Sequence, residues 1–248
     1  MKQQKGSLTL RVKRELGRLL PEHARLPLVV TLLWNQTIYQ GSKLLAQTWP
    51  HFDLSLPIDA RIPFLPWTVL IYFACFLFWG VNYILCARRE KALAYRFLSA
   101  DLFAKIVCGV FFLLLPTTNT RPAVGEQGIW NFLMRFLYQI DSAENLFPSI
   151  HCLVSWFCYI GVRGQTDMPK WYRCFSCLMA LAVFVSTLTT KQHVLLDVFA
   201  GVLLAEFSFW FVQKSGFSAI YGRGMDRLLH IWKRLTERYR SGHSTKHG

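Results

Sequence analysis

A 248-residue chain that is 53% hydrophobic and only 17% charged is not an ordinary soluble domain, where about a quarter of residues carry charge. Its formal net charge of +14 would suit nucleic acid or an anionic membrane surface, and the placement of the basic residues, set out below, excludes nucleic acid. The seven cysteines (Cys75, Cys86, Cys108, Cys152, Cys158, Cys174 and Cys177) lie in apolar runs as small hydrophobes, and the CxxC of Cys174 and Cys177 lacks the second pair of a zinc site.

Residues 1–25 carry recurring charges with no uninterrupted apolar core, so they read as a basic cytoplasmic segment and not as a signal peptide. A membrane helix needs roughly 20 mostly apolar residues. Spans are expected over Leu26–Gln47, Trp67–Ala87, Phe97–Leu115, Ser149–Val162, Trp171–Leu188 and Val194–Val212. The first of these holds Asn35, Gln36, Gln40 and Lys43, and the fourth is short. Between the third and fourth, Ile129–Ile140 is apolar around most of a helix, with Arg135 as its only charge. It reads as a short helix lying in the interface or as a loop packed on the bundle. After the last span, Met225–Arg240 reads as a basic amphipathic helix for the inner leaflet or as a solvated tail. Asp101 with Lys105, and Glu206, read as structural charges within spans.

Lys and Arg accumulate in cytoplasmic loops. Here residues 1–25, 88–96, 163–173 and 214–248 hold 22 of the 28 basic residues. Six spans with both ends cytoplasmic account for that alternation, and five do not. The expectation is therefore an all-α, six-helix transmembrane bundle. It comprises a basic segment (1–25), a membrane domain (26–212) and a basic amphipathic tail (213–248), in a multi-pass protein of a cell membrane, bacterial by its compactness.

Three short sequences fall at the outer ends of the expected helices: Arg121-Pro122, Pro148-Ser149-Ile150-His151, and Ser186 to Asp197 with its His193-VLL-Asp197. An HxxxD alone is weak; its company makes it specific. Pro148 suits the first turn of a helix, where a missing N–H costs nothing. Ser149 there can offer its hydroxyl and backbone N–H to an anion favoured by the helix dipole. Asp197, four residues after His193, can accept the imidazole N–H and fix its tautomer. A carboxylate at membrane depth is by default functional. His151, His193 and Asp197 could alternatively hold a metal, but no fourth ligand is evident, and neither metal nor cofactor is expected.

These residues resemble the type 2 phosphatidic acid phosphatase superfamily of six-helix membrane enzymes, whose signature is KxxxxxxRP, PSGH and SRxxxxxHxxxD. Here the three parts read LLPTTNTRP, PSIH and STLTTKQHVLLD. Ile58–Trp67 and the Phe147-PSIH form look closer to the phosphorylceramide-synthase-like branch than to the haloperoxidase branch, and the likeness covers roughly residues 55–212. The resemblance implies that His193 is the nucleophile, Asp197 its orienting partner, and His151 the acid and then the base. It implies that Arg121 and Ser149 bind phosphoryl oxygens. Leu114 and Thr187 stand where the family has Lys and Arg, and Lys191 is the substitute cation. The expected activity is hydrolysis of a lipid phosphomonoester or diphosphate through a phosphohistidine. The alternatives are transfer of the phospho-headgroup to an alcohol, or a transporter or scaffold that kept only the fold. The expected partners are a lipid phosphate and the membrane. The topology is directly testable: a cysteine at Gly125 should react with an impermeant reagent added outside and one at Gly242 should not, whereas the reverse pattern would invert the reading.

Overall fold

The structure, a computed structural model, describes residue 17 and residues 20–244, with side chains to residue 234. Most of the segment 1–25, and the side chains of the tail beyond residue 234, lie outside the described residues. Among the described residues eight helices follow one another: α1 Glu22–Ala46, α2 Val69–Ala87, α3 Lys91–Leu114, α4 Ile129–Ile140, α5 Ile150–Arg163, α6 Lys170–Thr189, α7 Leu195–Ser215 and α8 Phe217–Ser244. One correction to an all-α reading is small. Phe52–Asp53 (β1) and Thr117–Thr118 (β2) form a two-residue parallel pairing, Phe52 opposite Thr117. It ties the loop after α1 to the loop after α3.

Among the described residues four helices are long and apolar enough to cross a membrane: Pro66–Ala87 (α2 with the 3-10 turn before it), α3, α6 and α7. The other two expected spans fall below that measure for different reasons. α1 has the length, 25 residues, but carries charges and amides. α5 is apolar but has only 14 residues, about 21 Å of helix against the roughly 30 Å of a hydrocarbon core. It does not continue into the loop before it, because Pro148 and the capping Ser149 set its start.

α3 and α5 form the centre. Ala94, Phe97, Leu98, Ala104, Cys108 and Phe112 of α3 meet Leu153, Phe157 and Ile160 of α5 in one cluster. Lys105 and Asp101 of α3 are both only 1% exposed and bond at 2.7 Å, with Tyr83 donating to the same carboxylate, so this ion pair is structural. Apolar side chains left outside the bundle, among them Leu77, Leu178 and Leu203, present a lipid-facing surface. Trp67 and Trp171, exposed at helix ends, sit where interfacial aromatics gather.

α4 is helical over the expected Ile129–Ile140 and packs on α2, with Met134 and Leu137 buried against Val69 and Tyr72. Both readings of this segment therefore hold in part: it is a helix, and it packs on the bundle. The tail helix starts eight residues earlier than expected, at Phe217. Only Gly216, in the left-handed conformation at φ 67°, separates it from α7. It folds back on the membrane domain through Lys91–Asp226 and Lys233–Glu22, each 2.8 Å, and through Tyr95 donating to Asp226.

Candidate active site

The chain before α7 is shaped by its backbone. Gln192 and His193 both donate their N–H groups to the Thr187 carbonyl, at 2.9 and 3.1 Å, reversing the chain after α6. The reversal puts Lys191 at φ 56°, a conformation costing a non-glycine residue on the order of 1 kcal/mol. The Lys191 ammonium helps to hold it, donating to the carbonyls of Asp59 and Ile62 at 3.0 and 2.6 Å. Asp59 in turn accepts the N–H of Leu195, the first residue of α7, at 2.9 Å. The segment before α2 thus fixes where α7 begins.

His193 lies just before that helix, with Val194 as its cap. The pairing with Asp197 is therefore not the expected contact between successive turns of one helix. The Asp197 carboxylate reaches back past the helix end, as in a capping box. Its Oδ2 accepts the Val194 N–H at 3.0 Å and stands 3.2 Å from His193 Nδ1. With Nδ1–H held by the carboxylate, Nε2 carries the lone pair. His193 is 7% exposed and Asp197 1%.

The Asp197 backbone carbonyl also accepts the Ser149 N–H, at 3.1 Å, joining the start of α5 to the start of α7. Gly201, one turn further along α7, makes this approach possible. A Cβ there would lie 2.6 Å from the Ser149 carbonyl oxygen. Ser149 Oγ accepts the Cys152 N–H and so caps α5. Both groups expected to meet an anion are thus engaged, and what Ser149 retains is the proton of its hydroxyl.

His151, in the first turn of α5, places its ring 5.7 Å from the His193 ring. Tyr72, Trp79 and Phe76 of α2 surround it, at 4.5, 5.4 and 6.1 Å between ring centroids. Asp141, which follows α4, completes the setting. One oxygen accepts from Tyr39 at 2.7 Å; the other accepts from Tyr72 and stands 4.0 Å from His151 Nε2. Burial alone would push the Asp141 carboxyl up. His151 beside it and the two tyrosine hydroxyls together hold it below the usual carboxylate range, so it is ionised at neutral pH.

Arg121 reaches the same place from the loop after β2. It donates to the Asp141 carbonyl at 2.6 Å and to the Gln192 side chain, and lies 4.7 Å from the centre of the Tyr138 ring. Burial pulls its pKa below the ordinary arginine value, an effect that Asp141 opposes, and it remains a cation. Arg121 Nε and Gln192 Nε2 are buried donors with no partner among the described residues. Arg121, Lys191 and His193 share the wall of a cavity of about 690 Å³.

The two departures from the family pattern remain departures. Leu114 is 78% exposed on the outside of the bundle, and Thr187 is enclosed, its hydroxyl donating to the Phe184 carbonyl. Among the described residues no group of three His, Cys, Asp or Glu is arranged to hold a metal.

The model of the PAP2 superfamily matches residues 46–211. The chain belongs to the PAP2 superfamily. No curated protein and no solved structure matches it. The match spans His193, Asp197, His151, Ser149, Arg121 and Lys191, which the fold gathers at one end of the bundle.

Asp141, Tyr39, Tyr72, Gln192 and Asp59 escaped sequence reasoning. Asp141 left one sign: an acid at a helix C-terminus opposes the macrodipole and asks for an explanation. Lys191→Met should cost about 1–3 kcal/mol of stability, two carbonyls losing a charged donor, with KM changed less than about threefold. Arg121→Gln should raise KM about tenfold or more. Steady-state kinetics and thermal unfolding check both; a larger KM effect from Lys191→Met would return that lysine to phosphate binding.

Proposed function

We propose that the chain is an integral membrane lipid-phosphate phosphatase that works without a metal through a phosphohistidine on His193. Membership of the PAP2 superfamily supports phosphatase-type chemistry. The observation that carries the finer reading is the pair of rings 5.7 Å apart, one tied through Nδ1 to Asp197. The two imidazoles are close enough for one to reach phosphorus while the other reaches the oxygen leaving it.

In the first step His193 Nε2 forms a bond to phosphorus as the ester P–O bond breaks, and His151 gives its proton to the departing oxygen. Asp197 stabilises the positive charge on His193. In the second step His151 takes a proton from water, whose oxygen bonds to phosphorus as the P–N bond breaks. Burial opposes the protonated form of His151, which the first step consumes and the second restores, and the ionised Asp141 acts against that burial. Arg121 and the hydroxyl proton of Ser149 are left for the phosphoryl oxygens, Lys191 being committed to the turn before α7. Six spans, with both termini cytoplasmic and this end outward, agree with the distribution of basic residues.

A second reading, transfer of the phospho-headgroup to a lipid alcohol, is favoured by the charge at the site. Leu114 and Thr187 provide no cations, the Lys191 ammonium is largely committed, and Asp141 sits beside His151. A singly charged phosphodiester suits that balance better than a doubly charged monoester. A transporter or scaffold would have no use for two carboxylate-backed histidines facing one another.

The purified protein should release phosphate from lipid monoesters or diphosphates in excess chelator, be inhibited by vanadate, and lose activity with His193→Ala. Headgroup transfer from a diester to an alcohol, without release, would select the second reading. Activity abolished by chelator and restored by a divalent ion would overturn the phosphohistidine in either.

A further inference from the structure

The histidines occupy one end of the bundle, and a second cavity of about 550 Å³ opens at the other. The ends of α2 and α5, the start of α3 and the last turns of α7 enclose it. Arg163, on its wall, is twelve residues beyond His151 on α5, so about 18 Å of helix separates the two places.

Three arginines line this wall, Arg89, Arg96 and Arg163. Arg163 is neutralised by Glu206, with one bond at 2.7 Å, and Trp156 donates to the same carboxylate. Arg89 bonds Asp167 at 2.8 Å, but that carboxylate side chain is 65% exposed, and such pairs hold weakly. Arg89 Nε is buried with no partner among the described residues. Arg96 makes no side-chain hydrogen bond or ion pair among the described residues. Two guanidinium groups are therefore available beyond one neutral pair. The apolar side of the cavity is formed by Phe209 and Trp210, and Trp210 is exposed on the outer surface of the bundle.

Planar guanidinium forks match phosphate oxygens, and a buried N–H without a partner calls for an acceptor. Basic hollows between membrane helices at a cytoplasmic face take anionic headgroups. We propose that this cavity binds the phosphate of an anionic phospholipid, with Arg89 and Arg96 holding its oxygens and Phe209 and Trp210 lying along the start of its acyl chains. The site is independent of the chemistry at the histidine end.

The test uses the full chain with His193→Ala, which removes turnover of the probe. Native mass spectrometry from micelles holding equal phosphatidylglycerol and phosphatidylcholine counts retained lipid, and short-chain phosphatidylglycerol gives a Kd. Phosphatidylglycerol should be retained over phosphatidylcholine. Arg96→Gln should weaken it about tenfold or more, Arg96→Lys less, in keeping with one lost charge-assisted contact. Arg89→Gln, in the turn between α2 and α3, should repeat the loss, so misfolding of one variant does not decide the matter. Arg227→Gln, at an exposed site on α8, should keep the original Kd. Millimolar inorganic phosphate that displaces the lipid would make phosphate alone the ligand of the same site; no displacement assigns the lipid. Equal retention of the two lipids or an equal loss with Arg227→Gln would overturn the proposal.

Discussion

Everything at the histidine end of this protein depends on Asp197. One carboxylate oxygen accepts the Val194 N–H and faces His193 Nδ1; the backbone carbonyl of the same residue accepts the N–H of Ser149. A single residue therefore closes the start of α7, fixes the tautomer of one histidine, and sets the start of the helix that carries the other. The arrangement tolerates no bulk at Gly201, and it needs the start of α7 to be held in place, which Asp59 does from outside the bundle. A buried carboxylate without such partners would be costly at this depth. Here its partners are the groups that the chemistry requires.

The two histidines are supported differently, and the difference suits their proposed roles. His193 is backed directly by a buried carboxylate and offers one nitrogen. His151 lies among aromatic rings, with Asp141 at 4.0 Å and Tyr72 between them. A nucleophile profits from a fixed lone pair. A group that must give and then take a proton profits from a charge near enough to stabilise its cation but not bonded so closely as to hold the proton. The positive charge left for substrate is small, because Lys191 is mostly occupied in steadying a left-handed turn.

What could be read in the sequence followed from local rules. The apolar runs located the helices to within a few residues, because the need to satisfy backbone groups in lipid leaves few alternatives. The HxxxD and PSxH motifs located His193, Asp197 and His151 because those residues are close to one another in the chain. Asp141 and Arg121 are another matter. Asp141 meets Tyr39 from 102 residues away and Tyr72 from 69, and Arg121, itself marked by Arg121-Pro122, meets Gln192 across 71, so no local pattern announces these partners. Lys191 was legible as a cation near the site but not as a turn residue, since its partners Asp59 and Ile62 belong to a loop more than a hundred residues earlier. The tail helix was placed too short because a composition that turns basic at Met225 conceals a helix beginning directly after Gly216.

The division of labour between the histidines is tested most directly by trapping the covalent intermediate. Protein mixed with an activated phosphate ester and quenched in base, which spares the P–N bond, is digested, and the phosphoryl group is located by mass spectrometry. The account predicts phosphate on the peptide containing His193, accumulating in His151→Ala, where its hydrolysis lacks a base, and absent in His193→Ala. Phosphate trapped on His151, or in equal amounts in both variants, would contradict it.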